Sequence, residues 1–264
     1  METSDRAASI VTSIEQGLLD GRALADVLRM CVTLSGLVGA DDLRDWANKE
    51  LRGYADDDEV PAYRKISAVI QIDALTGNMH VTGQTIAPYQ LPEEVREHID
   101  GTVQLRAGIA ELEDQSTRRD DAKDSVKLLP AAAAYACHLI DEASGNPFQQ
   151  TTSLYYNVSR STFVGVIDQV KTVAADFVAN LRQTTPTLST APSADAANSA
   201  IALAVTGDHA SISVVSANGG SSASSSAPRI EADPETRMLT RKQLGWTIAS
   251  VVVALAALGV GLLL

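Results

Sequence analysis

The chain has 264 residues, with 33 acidic and 21 basic side chains and a formal net charge of -12. That balance argues against a nucleic-acid binder, because phosphate backbones attract positive patches. Its two cysteines, Cys31 and Cys137, exclude a disulfide-stapled secreted module and a cysteine-built zinc site.

Ile10, Val11, Ile14 and Leu18 recur at helical spacing and predict a first helix over residues 4–19. A second run places Leu24, Val27, Leu28, Cys31 and Leu34 on one face and ends near Gly36 to Gly39. Asp41 or Asp42 caps a third helix carrying Leu43, Trp46 and Leu51, which stops around Gly53. Three helices with short connections bury their apolar stripes against one another.

The character changes at Asp56-Asp57-Asp58-Glu59, and Pro61 ends any helical continuation. Ile66, Ala68, Ile70 and Ile72 alternate as in a half-buried strand; a turn at Thr76-Gly77-Asn78 leads to a second strand over residues 79–86. Pro92, Glu93 and Glu94 open a helix expected to run through Leu105, Ile109 and Leu112 to about Asp114. Residues 124–143 read as helical with Pro130 inside them, so the helix either kinks there or begins at that proline. An extended stretch at 153–158 precedes a helix over 162–181, where Phe163, Val166, Ile167, Val170, Val173, Ala174, Phe177 and Leu181 form one stripe. Packing of that stripe against the domain's own core is favoured over a heptad dimer seam.

Residues 184–232 have the Ser/Ala/Thr composition of a linker, with a candidate short hairpin at 200–215. Residues 233–243 form a charged juxtamembrane segment, and residues 244–264 carry no charge over a helical length of about 30 Å. The expected fold class is therefore mainly α with a small β-hairpin (α+β): a helical domain over 1–183 plus one C-terminal transmembrane helix. Arg237, Arg241 and Lys242 before the span, and a first segment without a signal-peptide pattern, place the N-terminal domain in the cytoplasm and the chain in the inner membrane as a tail-anchored, single-pass protein. Gly245, Ala249, Ala257 and Gly261 are candidates for close helix packing in a homo-oligomer.

Chemistry is sparse. His80, His98, His138 and His209 fall in no metal-pair spacing. Asp56, Asp57, Asp58 and Glu59 offer hard oxygen ligands, but a hydrated surface turn is the better reading of them. Asp42, Asp45 and Glu50 do not define a catalytic pair, and Arg44, Lys49 and Arg52 can balance them. No phosphate-cradling loop, nucleophile elbow or deaminase signature stands in the chain, and no cofactor is expected.

Three blocks stand in order: Asp42-Leu43-Arg44-Asp45-Trp46, Glu50-Leu51-Arg52-Gly53-Tyr54, and Pro61-Ala62-Tyr63-Arg64. With the helical start and the late apolar helix, they resemble the AbiTii domain of bacterial abortive-infection, or phage-resistance, systems, over about residues 6–183. One departure is Lys171 in Asp168-Gln169-Val170-Lys171, where the family typically has arginine. A lysine there would weaken any bidentate contact made by that arginine. The resemblance implies a defence role and carries over no catalytic residues.

Read physically, Trp46, Leu51, Tyr54 and Tyr63 bury one edge of the third helix, and Glu50 or the acidic run pairs with Arg64. The same residues, Trp46, Glu50, Gly53, Tyr54, Tyr63 and Arg64, are the first choice for a recognition surface. The expected function is a membrane-anchored interaction or sensor protein of phage defence, partnered by the bilayer, a second copy or a neighbouring defence protein. A membrane-anchored metal-dependent hydrolase and an immunity component restraining a toxin are the alternatives.

Overall fold

The structure is a computed structural model that describes residues 2–117, 124–185 and 191–207. The described chain is mainly α with a small amount of sheet and clusters into two compact units.

The first unit holds α1 (Glu2–Leu19), α2 (Leu24–Val38), α3 (Asp41–Arg52), β1 (Lys65–Ser67), β4 (Thr102–Gln104), α5 (Ile109–Thr117), β5 (Ser125–Leu128), the second half of β6 (Gln149–Ser159), α7 (Arg160–Thr184) and α8 (Ala194–Thr206). The sequence separates α2 from α3 with Gly39, whose φ of 77 returns its N–H to Ser35 O and stops the helix. That short connection lays α2 against α3, and α2 also packs against α1. α7 is the central element and packs against α8, α5 and α1. Its stripe of Phe163, Val166, Val170, Val173, Ala174, Phe177 and Leu181 is at most 1% exposed. Each such aliphatic or aromatic side chain contributes about 1.5–3 kcal/mol of burial, so α7 organises the unit's core. The chain turns into α7 at Ser159, whose hydroxyl accepts from Ser161 N.

The second unit holds β2 (Val69–Thr76), β3 (Met79–Ile86), α4 (Glu93–Arg96), α6 (Ala133–Ser144) and the first half of β6. β2 and β3 form an antiparallel hairpin, with Ile72 opposite Gln84 and Ala74 opposite Val81. The register shift between these pairs leaves Asp73 facing a bulge at Thr82 and Gly83. Gly83 takes a φ of 69 there, and its N–H donates to Asp73 Oδ1 at 2.7 Å. β2 lies between β3 and β6. Asp141 on α6 accepts from both the N–H and the hydroxyl of Thr151 on β6, at 2.8 and 2.6 Å, joining helix to strand.

Several expectations need correction. The helix expected from Pro92 to Asp114 is broken into α4, β4 and α5, because Val103 pairs with Ile66 and Leu105 N donates to Arg64 O. The strand expected from Ile66 to Ile72 divides into β1 and β2, since Ala68 N is drawn to Gly101 O. Within 124–143 the first residues are strand β5, paired with the end of β6, and the helix starts only at Ala133.

Residues 200–206 are helical, not the arm of a hairpin; the remainder of the 200–215 segment lies outside the described residues. Ser193 caps α8 through Ala196 N, and Ala197, Ala200, Ile201 and Ala204 turn inward to α7, α3 and α2.

The membrane reading is also corrected. Among the described residues no helix is long and apolar enough to cross a membrane. Even α7, at 25 residues, carries Asp168, Lys171, Asp176 and Arg182 beside its apolar stripe. Residues 233–243 and 244–264, with Gly245, Ala249, Ala257 and Gly261, lie outside the described residues. The transmembrane helix, the inner-membrane location, the bilayer as partner and oligomerisation through that helix are withdrawn.

The packing of α7 makes a direct expectation. Phe177→Ala should lower unfolding free energy by about 3–5 kcal/mol in urea titration, while Leu203→Ala, at a position 62% exposed, should change it by less than about 0.5 kcal/mol.

Candidate functional site

The motif residues converge within the first unit. Trp46 and Glu50 lie one turn apart on α3 and share its buried face with Leu43 and Ala47. α3 ends at Gly53, whose φ of 97 lets the chain turn and brings Tyr54 N to Arg106 O at 2.8 Å. A Cβ at Gly53 would meet Arg106 O at 2.7 Å, and one at Gly108 would meet Leu51 O at 2.5 Å. The two glycines therefore allow the end of α3 and the 105–108 segment to approach backbone to backbone. Pro61 then sets up a short 3-10 turn over Ala62–Arg64, which directs Tyr63 and Arg64 inward.

The Glu50 carboxylate is the meeting point. Its Oε1 accepts from the Tyr54 hydroxyl at 2.5 Å and the Tyr63 hydroxyl at 2.9 Å, while Arg64 Nη2 donates to Oε2. Tyr63 in turn accepts from Trp46 Nε1 at 3.0 Å. Arg64 Nη1 donates to the carbonyls of Ala107 at 2.8 Å and Leu105 at 3.3 Å, and the guanidinium carbon lies 5.5 Å from the Tyr54 ring centre. Arg64 Nε has no acceptor among the described residues. The Glu50 and Arg64 side chains are both 0% exposed. One negative and one positive charge are thus removed from water together, a condition under which a buried pair is tolerated.

Burial, followed by the Glu50 charge, pushes the Tyr54 and Tyr63 hydroxyls well above the usual phenol range. Both therefore stay neutral and serve as donors to the carboxylate.

An outer layer ties down the acidic run. Arg106 Nη1 donates to Ala55 O and, at 3.1 Å, to Asp58 O, while its Nη2 donates to Gln104 Oε1 at 2.7 Å. Lys49 bridges Asp45 at 2.8 Å and Asp58 at 2.9 Å. The hydrogen bond from Lys49, then that from Ala55 N–H, holds the Asp58 carboxyl below its ordinary range. Asp56, Asp57 and Glu59 are exposed. Among the described residues no group of three or more His, Cys, Asp or Glu is placed to hold a metal ion. Of this run, Asp58 is engaged by a lysine.

Trp46, Glu50, Tyr54, Tyr63 and Arg64 are brought together, but as a buried network and not as a face open to solvent: all five are at most 8% exposed. Gly53 joins them through its backbone. Of the two partners offered for Arg64, the structure pairs it with Glu50. Lys171 is exposed beside the buried Val170, so the departure from arginine falls at the surface. His80, His98 and His138 are exposed; His209 lies outside the described residues. Cys31 is fully buried, and burial pushes its thiol up to about 12. The carbonyls of Leu105 and Ala107 and the close approach at Gly108 were missed by sequence reasoning. Gly101 and Gly108 within a supposed helix were the signal that could have found them.

Two outcomes are expected. Glu50→Gln should destabilise the protein by about 3–5 kcal/mol in urea titration, because Arg64 is left buried without its counter-charge. Glu50→Leu combined with Arg64→Met should recover a large part of that loss. The second concerns alkaline pH. The folded tyrosines titrate above their unfolded value of about 10, so their contribution is fully present below that pH and is lost as pH rises beyond it. Stability measured against pH should fall above about 10, and Tyr54→Phe with Tyr63→Phe should flatten that fall.

A search of curated proteins and of solved structures returns no match. The AbiTii family model matches residues 9–206, a span that takes in the whole Glu50 network and ends with α8. On that match over most of its length, the chain belongs to the AbiTii family.

Proposed function

We propose that the protein acts in bacterial phage defence, in the abortive-infection manner associated with the AbiTii family. The match over residues 9–206 carries this reading. The buried network supports it in a specific way. Tyr54, Tyr63 and Arg64 of the motif donate to Glu50, and Trp46 joins them through Tyr63, so these residues hold the shape of the domain. Defence in this reading is exerted by the folded domain as a scaffold, with Glu50 and Arg64 holding α3 to the 105–108 segment.

The test is phage challenge of a bacterial host expressing the full-length chain at low level. Protected cultures should show fewer plaques and smaller bursts, with infected cells arresting before progeny are released. A Gly108→Val chain, which cannot close the approach to Leu51, should lose that protection. Unchanged plaque number and burst size across a broad phage panel would overturn the reading.

A further inference from the structure

α8 is held differently from the rest of the first unit. Its inward side chains are Ala197, Ala200, Ile201 and Ala204, three methyl groups and one larger aliphatic, whereas α7 buries two phenylalanines and a run of branched residues. Elements with little apolar burial sit at the low-stability end of a fold and open before the remainder. The side-chain hydrogen bonds that tie α8 to α7 and α3 through Asn180 and Asn198 are long. Asn180 Nδ2 donates to Ala200 O at 3.3 Å, and Asn198 Oδ1 accepts from Asp42 N at 3.2 Å and Leu43 N at 3.4 Å.

The Asn198 contact matters because of its position. Residue Ala40 stands at the N-cap of α3 and supplies no side-chain acceptor, so α3 lacks a cap of its own. Asn198 provides that cap from another element. Four residues beyond Asp42 lies Trp46, and eight beyond it lies Glu50, the centre of the buried network.

We propose that α8 is a releasable strap: it undocks as a unit while α1–α3, α5 and α7 stay folded, and its release uncaps α3. The coupling is reciprocal. Whatever holds α8 in place steadies the first turn of α3, and any partner that captures α8 loosens it. This inference stands on the geometry of α8 and not on the phage-defence reading.

Hydrogen–deuterium exchange of the full-length chain tests it. The α8 amides should exchange roughly tenfold or more faster than those at the centre of α7. Asn198→Ala should speed exchange in α8 and also at Asp42 and Leu43, leaving the centre of α7 unchanged. Ala200→Glu, which places a charge at a position 2% exposed, should leave α8 unprotected with the α7 pattern intact. Exchange of α8 at the same rate as α7 would overturn the proposal. So would acceleration in Asn198→Ala confined to α8, or loss of protection across the whole unit in Ala200→Glu.

Discussion

One carboxylate organises the geometry of this domain's motif region. Glu50 is fully buried, and a buried charge must have its counter-charge and hydrogen-bond donors supplied from within the fold. Its donors come from Tyr54, one turn on; from Tyr63 and Arg64, in the turn after Pro61; and, through Arg64, the arrangement extends to the carbonyls of Leu105 and Ala107. This placement brings the donors of Tyr54, Tyr63 and Arg64 to one carboxylate. The glycines at 53 and 108 follow from the same requirement, since each stands where a side chain would collide with backbone.

The same economy appears elsewhere in the chain. Asp141 takes both donors of Thr151, Asp73 takes the N–H of a bulged glycine, and Asp58 takes Ala55 N while pairing with Lys49. A strongly acidic protein thus employs several of its carboxylates as acceptors for backbone N–H groups that would otherwise be left without a partner. Irregular connections become specified structure by this means. The two units use it independently.

Legibility in the sequence followed periodicity. α1, α2, α3 and α7 were readable because their apolar side chains recur at 3.6 residues, and α2 and α3 also stop at glycine. The hairpin of β2 and β3 was readable from alternation and the Gly77 turn. The stretch from Pro92 to Asp114 misled because Leu105, Ile109 and Leu112 suggest one helix, yet Leu105 is buried after β4 and only Ile109 and Leu112 share α5. Pairing of β4 with β1 is a long-range event that no local window records. α8 was hidden by composition: alanine and serine signal a linker until a neighbouring helix is close enough to use the methyl groups. For the motif region, burial of Trp46, Tyr54 and Tyr63 and a carboxylate partner for Arg64 were legible, whereas the choice of Glu50 over the acidic run was not. That choice depends on the 105–108 segment, whose carbonyls take the other donor of the Arg64 guanidinium.

The bulge at Asp73 and Gly83 bears on how the protein behaves at high concentration. β3 is the outermost strand of its sheet among the described residues and has no acidic, lysine, arginine or proline residue in its eight positions. Such a rim ordinarily invites a stray chain to zip onto it and seed fibrils. The extra residue interrupts the regular spacing of amides midway, so an incoming strand meets two short, mutually offset runs and finds no continuous template.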